Sequence, residues 1–125
     1  MRLLLDTHAM LWFLNAPSKL RSKARSAIAS PRNKVFVSTV SIWEAMVKKS
    51  IGKLAVKTDL IEEITKAKFE FLDIHPRHAL GVGDLPRHHD DPFDRMLITQ
   101  AIIEELKIVT RDETFERYDV DLLPA

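Results

Sequence analysis

Four acidic side chains of this sequence stand where a folded protein gathers ligands for a metal ion. Asp6 closes the apolar run Leu3-Leu4-Leu5. Glu44 lies among apolar residues in Val40-Ser41-Ile42-Trp43-Glu44-Ala45-Met46-Val47. Asp94 belongs to Asp91-Pro92-Phe93-Asp94-Arg95-Met96-Leu97-Ile98, and Asp112 follows Lys107-Ile108-Val109-Thr110-Arg111. Carboxylates at the ends of buried strands and on the inner edges of helices repel one another unless something positive binds between them. A hard, oxygen-preferring divalent cation is the simplest candidate.

Each acid also has a plainer reading. Ser41-x-x-Glu44 fits a capping box, Asp6 and Asp112 fit caps of the segments that follow them, and an acid at Asp94 complements the dipole of a starting helix. Taken singly, these readings prevail. Taken together, in an order that converges strand ends with helix starts, the four favour a shared site. Asp91 is assigned differently: directly before Pro92, it is the expected N-cap.

The elements that must position these acids alternate. Arg2 to Leu5 reads as a strand buried on both faces, because its leucines are continuous. Thr7 to Leu14 reads as a helix ended by Asn15-Ala16-Pro17. Ser18 is the expected cap of a second helix running to about Ala29. Val35 to Val37 is a second strand, and Thr39 to Lys49 a helix with Lys48 and Lys49 at its cation-favouring end. A fourth helix is expected from Thr58 or Asp59 to about Lys68, then a strand over Phe69 to Ile74. Pro76 to Leu85 reads as a short helix and Pro86 to Asp91 as a polar loop. A long helix then runs to about Leu106, followed by a strand over Lys107 to Thr110, a short helix over Glu113 to Arg117 and an edge strand over Asp121 to Leu123. Alternation of this kind implies an α/β domain of three layers, with helices on both faces of a mainly parallel sheet of four to five strands.

In such sheets, sites form at the C-terminal ends of the strands, near the point where strand order reverses. Asp6 and Asp112 fall at such ends. Glu44 shares a helical stripe with Val40 and Val47, and Asp94 one with Ile98 and Ala101, so both should face the packed side. That is a costly place for an unpartnered carboxylate.

With 125 residues, 46% of them hydrophobic and 30% charged, the sequence reads as one globular domain over residues 1–125. It has no cysteine, which removes disulfides and thiolate metal sites, and its net charge of +1 argues neither for nor against nucleic acid. Asp6, Thr7 and His8 interrupt the apolar N-terminus too early for a signal peptide, and no apolar stretch is long enough to span a bilayer. A cytoplasmic protein is expected.

The stretches Leu4-Leu5-Asp6-Thr7-His8-Ala9, Ser41-Ile42-Trp43-Glu44, Asp91-Pro92-Phe93-Asp94-Arg95 and Thr110-Arg111-Asp112 resemble the motifs of PIN-domain ribonucleases. The likeness is nearest to the VapC-type toxins of toxin–antitoxin pairs and covers essentially the whole chain, with the Asp-Pro-Phe-Asp-Arg block its most specific part. The resemblance implies a PIN-like fold and a Mg²⁺ or Mn²⁺ site formed by Asp6, Glu44, Asp94 and Asp112, with the Thr110 hydroxyl in support. It further implies metal-dependent endoribonuclease activity as the toxin of such a pair, a cognate antitoxin, and a homodimer. A bound divalent ion can activate water and stabilise charge on a phosphate. Because Mg²⁺ usually takes only one or two carboxylates directly, the other acids are expected to act through water.

RNA requires positive charge around an acidic pit. Arg87, His88, His89, Arg95 and Arg111 are the candidate RNA contacts, with Lys48 and Lys49. Arg95 has an alternative as the helical partner of Asp91. His88-His89-Asp90-Asp91 lacks the spacing of a zinc site. Trp12 and Phe13 are the expected apolar edge for a protein partner. Two competing functions remain in view. An aspartyl-nucleophile phosphohydrolase usually carries a second acid two positions after its first, where this sequence has His8. A catalytically silent RNA-binding or scaffold domain would more naturally have lost one of the four acids.

Overall fold

In the computed structural model, which describes Met1 through Ala125, five strands form one sheet in the order β3-β2-β1-β4-β5. They are β1 (Arg2–Leu5), β2 (Lys34–Ser38), β3 (Glu70–Leu72), β4 (Lys107–Thr110) and β5 (Leu122–Pro124). Every neighbouring pair is parallel; Leu3 is in register with Val35 on one side and Lys107 on the other. The helices are α1 (Thr7–Asn15), α2 (Ser22–Ala29), α3 (Thr39–Ser50), α4 (Leu60–Lys66), α5 (Pro76–Gly81) and α6 (Pro92–Glu104).

The period-two alternation of the strands divides the core into two layers. Leu3, Leu5, Val35, Val37, Val109 and Leu123 pack with residues of α1, α2 and α4, among them Ala9, Met10, Ile28 and Ile64. Leu4 and Ile108 face the other way, onto Leu97, Ile98 and Ala101 of α6 and the buried Phe115. The result is an α/β/α sandwich with β1 at its centre, buried on both faces as its three leucines require. No helix is long and apolar enough to cross a membrane.

Several boundaries differ from expectation for local reasons. Ser18 does not cap α2: Pro17–Lys19 is a separate 3₁₀ turn, Leu20 is extended with its side chain buried, and the Lys19 carbonyl accepts from Arg111. The third strand is shorter at both ends, since Phe69 serves the core and the Asp73 carbonyl accepts from Gln100. The short helix after Pro76 ends at Gly81 and tightens into a 3₁₀ turn over Val82–Asp84. It is fastened to α6 by the buried His78, whose Nδ1 accepts the His75 N–H while Nε2 donates to Glu104 at 3.0 Å.

The chain needs a sharp exit from α6 to reach β4, and it makes one with a non-glycine residue. Glu105 is left-handed (φ 56°), and the Leu106 N–H returns to the Ala101 carbonyl at 2.9 Å. This is a helix stop at which glycine escapes the steric cost of a Cβ. Glu105→Gly is expected to stabilise the fold by about 0.5–1 kcal/mol, the strain relieved less the extra freedom of glycine in the unfolded chain. Urea unfolding of the two proteins measures this, and a lower midpoint for the variant would show that Glu105 is held there by something other than backbone geometry.

Candidate metal centre

The parallel order reverses between β1 and β4, so the loops leaving these adjacent strands open at the point where such sheets hold their sites. Asp6 leaves β1 and Asp112 follows β4, joined by the Asp6 N–H bond to the Val109 carbonyl at 3.1 Å. The middle of α3 and the first turn of α6 deliver Glu44 and Asp94 to the same edge. Asp94 is electrostatically coupled to Asp91, Glu44 and Asp6, and Asp6 to Glu44.

Each carboxylate is held differently. Asp6 is the N-cap of α1 and is almost fully buried; its Oδ1 accepts the Ala9 N–H at 2.8 Å. Burial raises its pKa, against the lowering effect of the Thr110 hydroxyl and the Ala9 N–H. Glu44 is buried, with Oε1 accepting from the Thr7 hydroxyl at 2.6 Å and Oε2 from Lys48. That hydrogen bond in turn raises the pKa of Lys48. Ser38, not Ser41, caps α3 through Val40 N–H, so Glu44 is no member of a capping box; Ser41 sits inside the helix with its buried hydroxyl unpartnered.

Asp91 caps α6, its Oδ1 accepting from Phe93 N–H at 2.8 Å and Asp94 N–H at 3.3 Å. Asp94 is thereby left free of capping duty. Burial, followed by the charges of Asp91 and Glu44, pushes its carboxyl up to about 7. Asp112 caps the 3₁₀ turn Glu113–Arg117 through Thr114 N–H at 2.9 Å, and its own N–H donates to the Thr110 hydroxyl at 3.1 Å. Burial raises Asp112, but its bonds from His89 and Thr114 outweigh this and leave it below the usual carboxylate value.

His89 stands between the last two acids. Its Nε2 lies 2.8 Å from Asp112 Oδ2 and 3.2 Å from Asp94 Oδ2. Its Nδ1 accepts the Asp91 N–H at 3.1 Å. The ring therefore belongs to the centre itself rather than to an outer RNA-binding rim, and no motif or spacing in the sequence announces this. Thr7, the partner of Glu44, is equally silent in sequence, whereas Lys48 is one turn beyond Glu44 and legible as its ion pair.

The other basic candidates separate into two groups. Arg87 and His88 are exposed on the loop before α6. Arg95 is buried, and its guanidinium donates to the carbonyls of Val82, Leu85, Pro86 and His89. It pairs with neither Asp91 nor solvent, and has no free fork for a phosphate. Arg111 lies 4.3 Å above the Trp12 ring and donates to the carbonyls of Ala125 and Lys19, so it too is a structural tie. Trp12 and Phe13 are half-buried against the core; among the exposed apolar residues are Trp43, Met46 and Val47 on α3, Ile51 at its C-cap and Leu80 on α5. Trp43, 58% exposed, meets Phe93 edge-on at 4.9 Å.

A family model described as PIN domain matches residues 3–121. Curated proteins gave no sequence match. Similar solved structures include VapBC2 from Rickettsia felis bound to a promoter DNA fragment, at 18% identity and TM-score 0.73, covering 98% of both chains. DNA-bound VapBC from Salmonella typhimurium gives 18% identity and TM-score 0.66 over 98% of this chain and 97% of that one. VapBC-5 from Mycobacterium tuberculosis, described as a toxin–antitoxin system member, gives 19% and 0.60 over 99% and 98%. At such identities the likeness establishes the fold.

The electrostatics of Asp94 yield a pH dependence. Its folded pKa of about 7 lies above the ordinary aspartate value of 3.8, so between these values the folded chain binds a proton that the unfolded chain releases. This contribution is complete below the unfolded pKa and is lost as pH rises through the folded one; it is at most about 4 kcal/mol before solvent screening. Metal-free protein should melt at lower temperature at about pH 8 than at about pH 5, and Asp94→Asn should flatten that slope. Equal slopes in the two proteins by calorimetry would place the like-charge strain elsewhere.

Proposed function

Since the chain belongs to the PIN domain family, we propose that it is a metal-dependent endoribonuclease, the toxin of a toxin–antitoxin pair acting in the cytoplasm. The observation that carries the reading is Asp94, whose carboxyl is held near 7 by burial and the neighbouring Asp91 and Glu44. A site with so much uncompensated negative character fits a divalent cation.

The donor set agrees with Mg²⁺ or Mn²⁺. Asp6, Glu44, Asp94 and Asp112 offer oxygen donors, and with one or two direct ligands the remaining acids would hold bound waters. When bound, the ion lowers the pKa of a water and offsets charge on the phosphate. The chain's own groups do the positioning. The Ala9 N–H fixes one oxygen of Asp6 and the Thr110 hydroxyl also reaches this carboxylate, while Thr7 and Lys48 fix both oxygens of Glu44. Thr110, between Asp6 and Asp112, supports both. In hydrolysis, water oxygen attacks phosphorus, one phosphate ester bond breaks, and the departing ribose oxygen takes a proton. The exposed Arg87, His88 and Lys49 are the side chains that would meet the RNA backbone.

An antitoxin encoded beside this chain and a homodimer complete the proposal, with the exposed stripe of α3 as the apolar contact. Co-purification with the product of the adjacent reading frame would support it. A strictly monomeric protein by light scattering, with no co-purifying partner, would remove this part and leave the nuclease reading standing.

Cleavage of single-stranded or loop RNA with Mg²⁺ or Mn²⁺ is expected, and excess EDTA should abolish it; undiminished cleavage in chelator would exclude the metal route. The two acids at the start of α6 give a finer test. Asn serves as well as Asp at an N-cap, so Asp91→Asn should fold and retain most activity. Asp94→Asn should fold yet lose about two or more orders of magnitude of cleavage, having lost the charge the ion requires. An active Asp94→Asn beside a dead Asp91→Asn, at equal folded concentration by circular dichroism, would reverse the assignment.

A further inference from the structure

We infer that His89 is a positioning residue of the metal centre: its Nε2–H donates to Asp112 while lying against Asp94, and so sets how the two acids face a divalent cation. The inference rests on the metal-dependent reading above. Side chains of His89, Asp94 and Asp112 bring one donor atom each to within 4.8 Å of one another, a grouping that by composition alone could be a three-ligand metal site. The hydrogen bonding of the ring decides otherwise. A histidine that ligates a metal donates its second ring N–H to an acceptor. Here the second nitrogen, Nδ1, accepts the backbone N–H of Asp91. Nδ1 is then the bare nitrogen and Nε2 carries the proton, so the atom directed at the carboxylates is a donor.

That donor lies 2.8 Å from Asp112 Oδ2 and 3.2 Å from Asp94 Oδ2. The two acids come from different elements, the end of β4 and the first turn of α6, and nothing else bridges them directly. Each carboxylate has about four lone-pair sites, so one N–H contact leaves room for a cation. Without the N–H, like charges would turn the two groups apart.

The residue is itself held at its backbone and at its ring. The Tyr118 hydroxyl accepts the N–H groups of His88 and His89 at 3.0 and 2.8 Å and donates to the Pro86 carbonyl at 2.8 Å. Arg95 reaches the His89 carbonyl, and Phe115 meets the imidazole edge-on at 5.8 Å. A loop residue held by Tyr118, Arg95 and Phe115, from the turn after β4 and from α6, is preorganised to orient its neighbours.

The test measures Mn²⁺ binding by calorimetry on the full chain at one pH. Wild-type protein must bind first; no binding would sink the metal reading itself. Given wild-type binding, His89→Ala should weaken Mn²⁺ by about 10–100-fold, and His89→Gln, which keeps an N–H donor at comparable reach, should recover most of the loss. Tyr118→Phe, which releases the loop but leaves the imidazole in place, should weaken binding less and add little in combination with His89→Ala. Unchanged Mn²⁺ affinity in a folded His89→Ala would overturn the inference. So would tighter binding, which would mean that His89 competes with the cation, and so would a Gln variant no better than Ala.

Discussion

Like-charge crowding at the C-terminal edge of the sheet is the constraint around which this molecule is arranged. Asp6 and Glu44 are almost fully buried, and Asp94 is largely so. An ionised carboxylate in such surroundings is costly unless donors reach it. The chain supplies those donors unevenly. Asp6 has the N–H of Ala9, Glu44 has Thr7 and Lys48, and Asp112 has Thr114 and His89. Asp94 has only the contact of the His89 ring, at the longer of its two distances, and burial raises the carboxyls of both Asp6 and Asp94. The residual strain thus falls on these two acids.

Two of the carboxylates also start helices. Asp6 caps α1 and Asp112 caps the 3₁₀ turn after β4, so the plain capping reading and the site reading hold at once for both. A carboxylate has two oxygens, and a cap uses only one of them. This economy keeps the acids on short, rigid connections directly after strands. The basic residues have an analogous division. Arg95 and Arg111 donate to backbone carbonyls, and so tie down the segments on which His89 and Asp112 ride. Arg87 and Lys49, by contrast, are exposed.

Regular structure was legible wherever sequence patterning matches burial. The unbroken leucines of β1, the Asp-Pro start of α6 and the acids following apolar runs led directly to the three-layer sheet and to the common edge on which the acids lie. What could not be read depends on contacts across long sequence separation. His89 is aimed by Tyr118, nearly thirty residues away, through bonds made by backbone atoms that carry no residue signature. Leu20 breaks the expected second helix because the core takes its side chain, an influence no local propensity contains. Sequence does not reveal that Arg95 and Arg111 donate to backbone carbonyls, since a guanidinium fork satisfies carbonyls as readily as phosphates.

Asp91 to Arg95 shows why that short block is more informative than any single acid. Pro92 sets the first helical φ and gives up an N–H that would have had no partner. Asp91 satisfies the next two N–H groups, which frees Asp94 to face the site rather than the helix end. Phe93 packs against Trp43 and so fixes α6 beside α3, the helix that carries Glu44. Arg95 turns inward and gathers four carbonyls of the preceding loop, including that of His89. The five positions therefore perform distinct tasks within little more than one helical turn, and their order is dictated by geometry. Exchanging Asp91 and Asp94 in role would leave the helix uncapped, and moving Arg95 by one position would carry its guanidinium by about 100° around the helix, away from the loop it anchors.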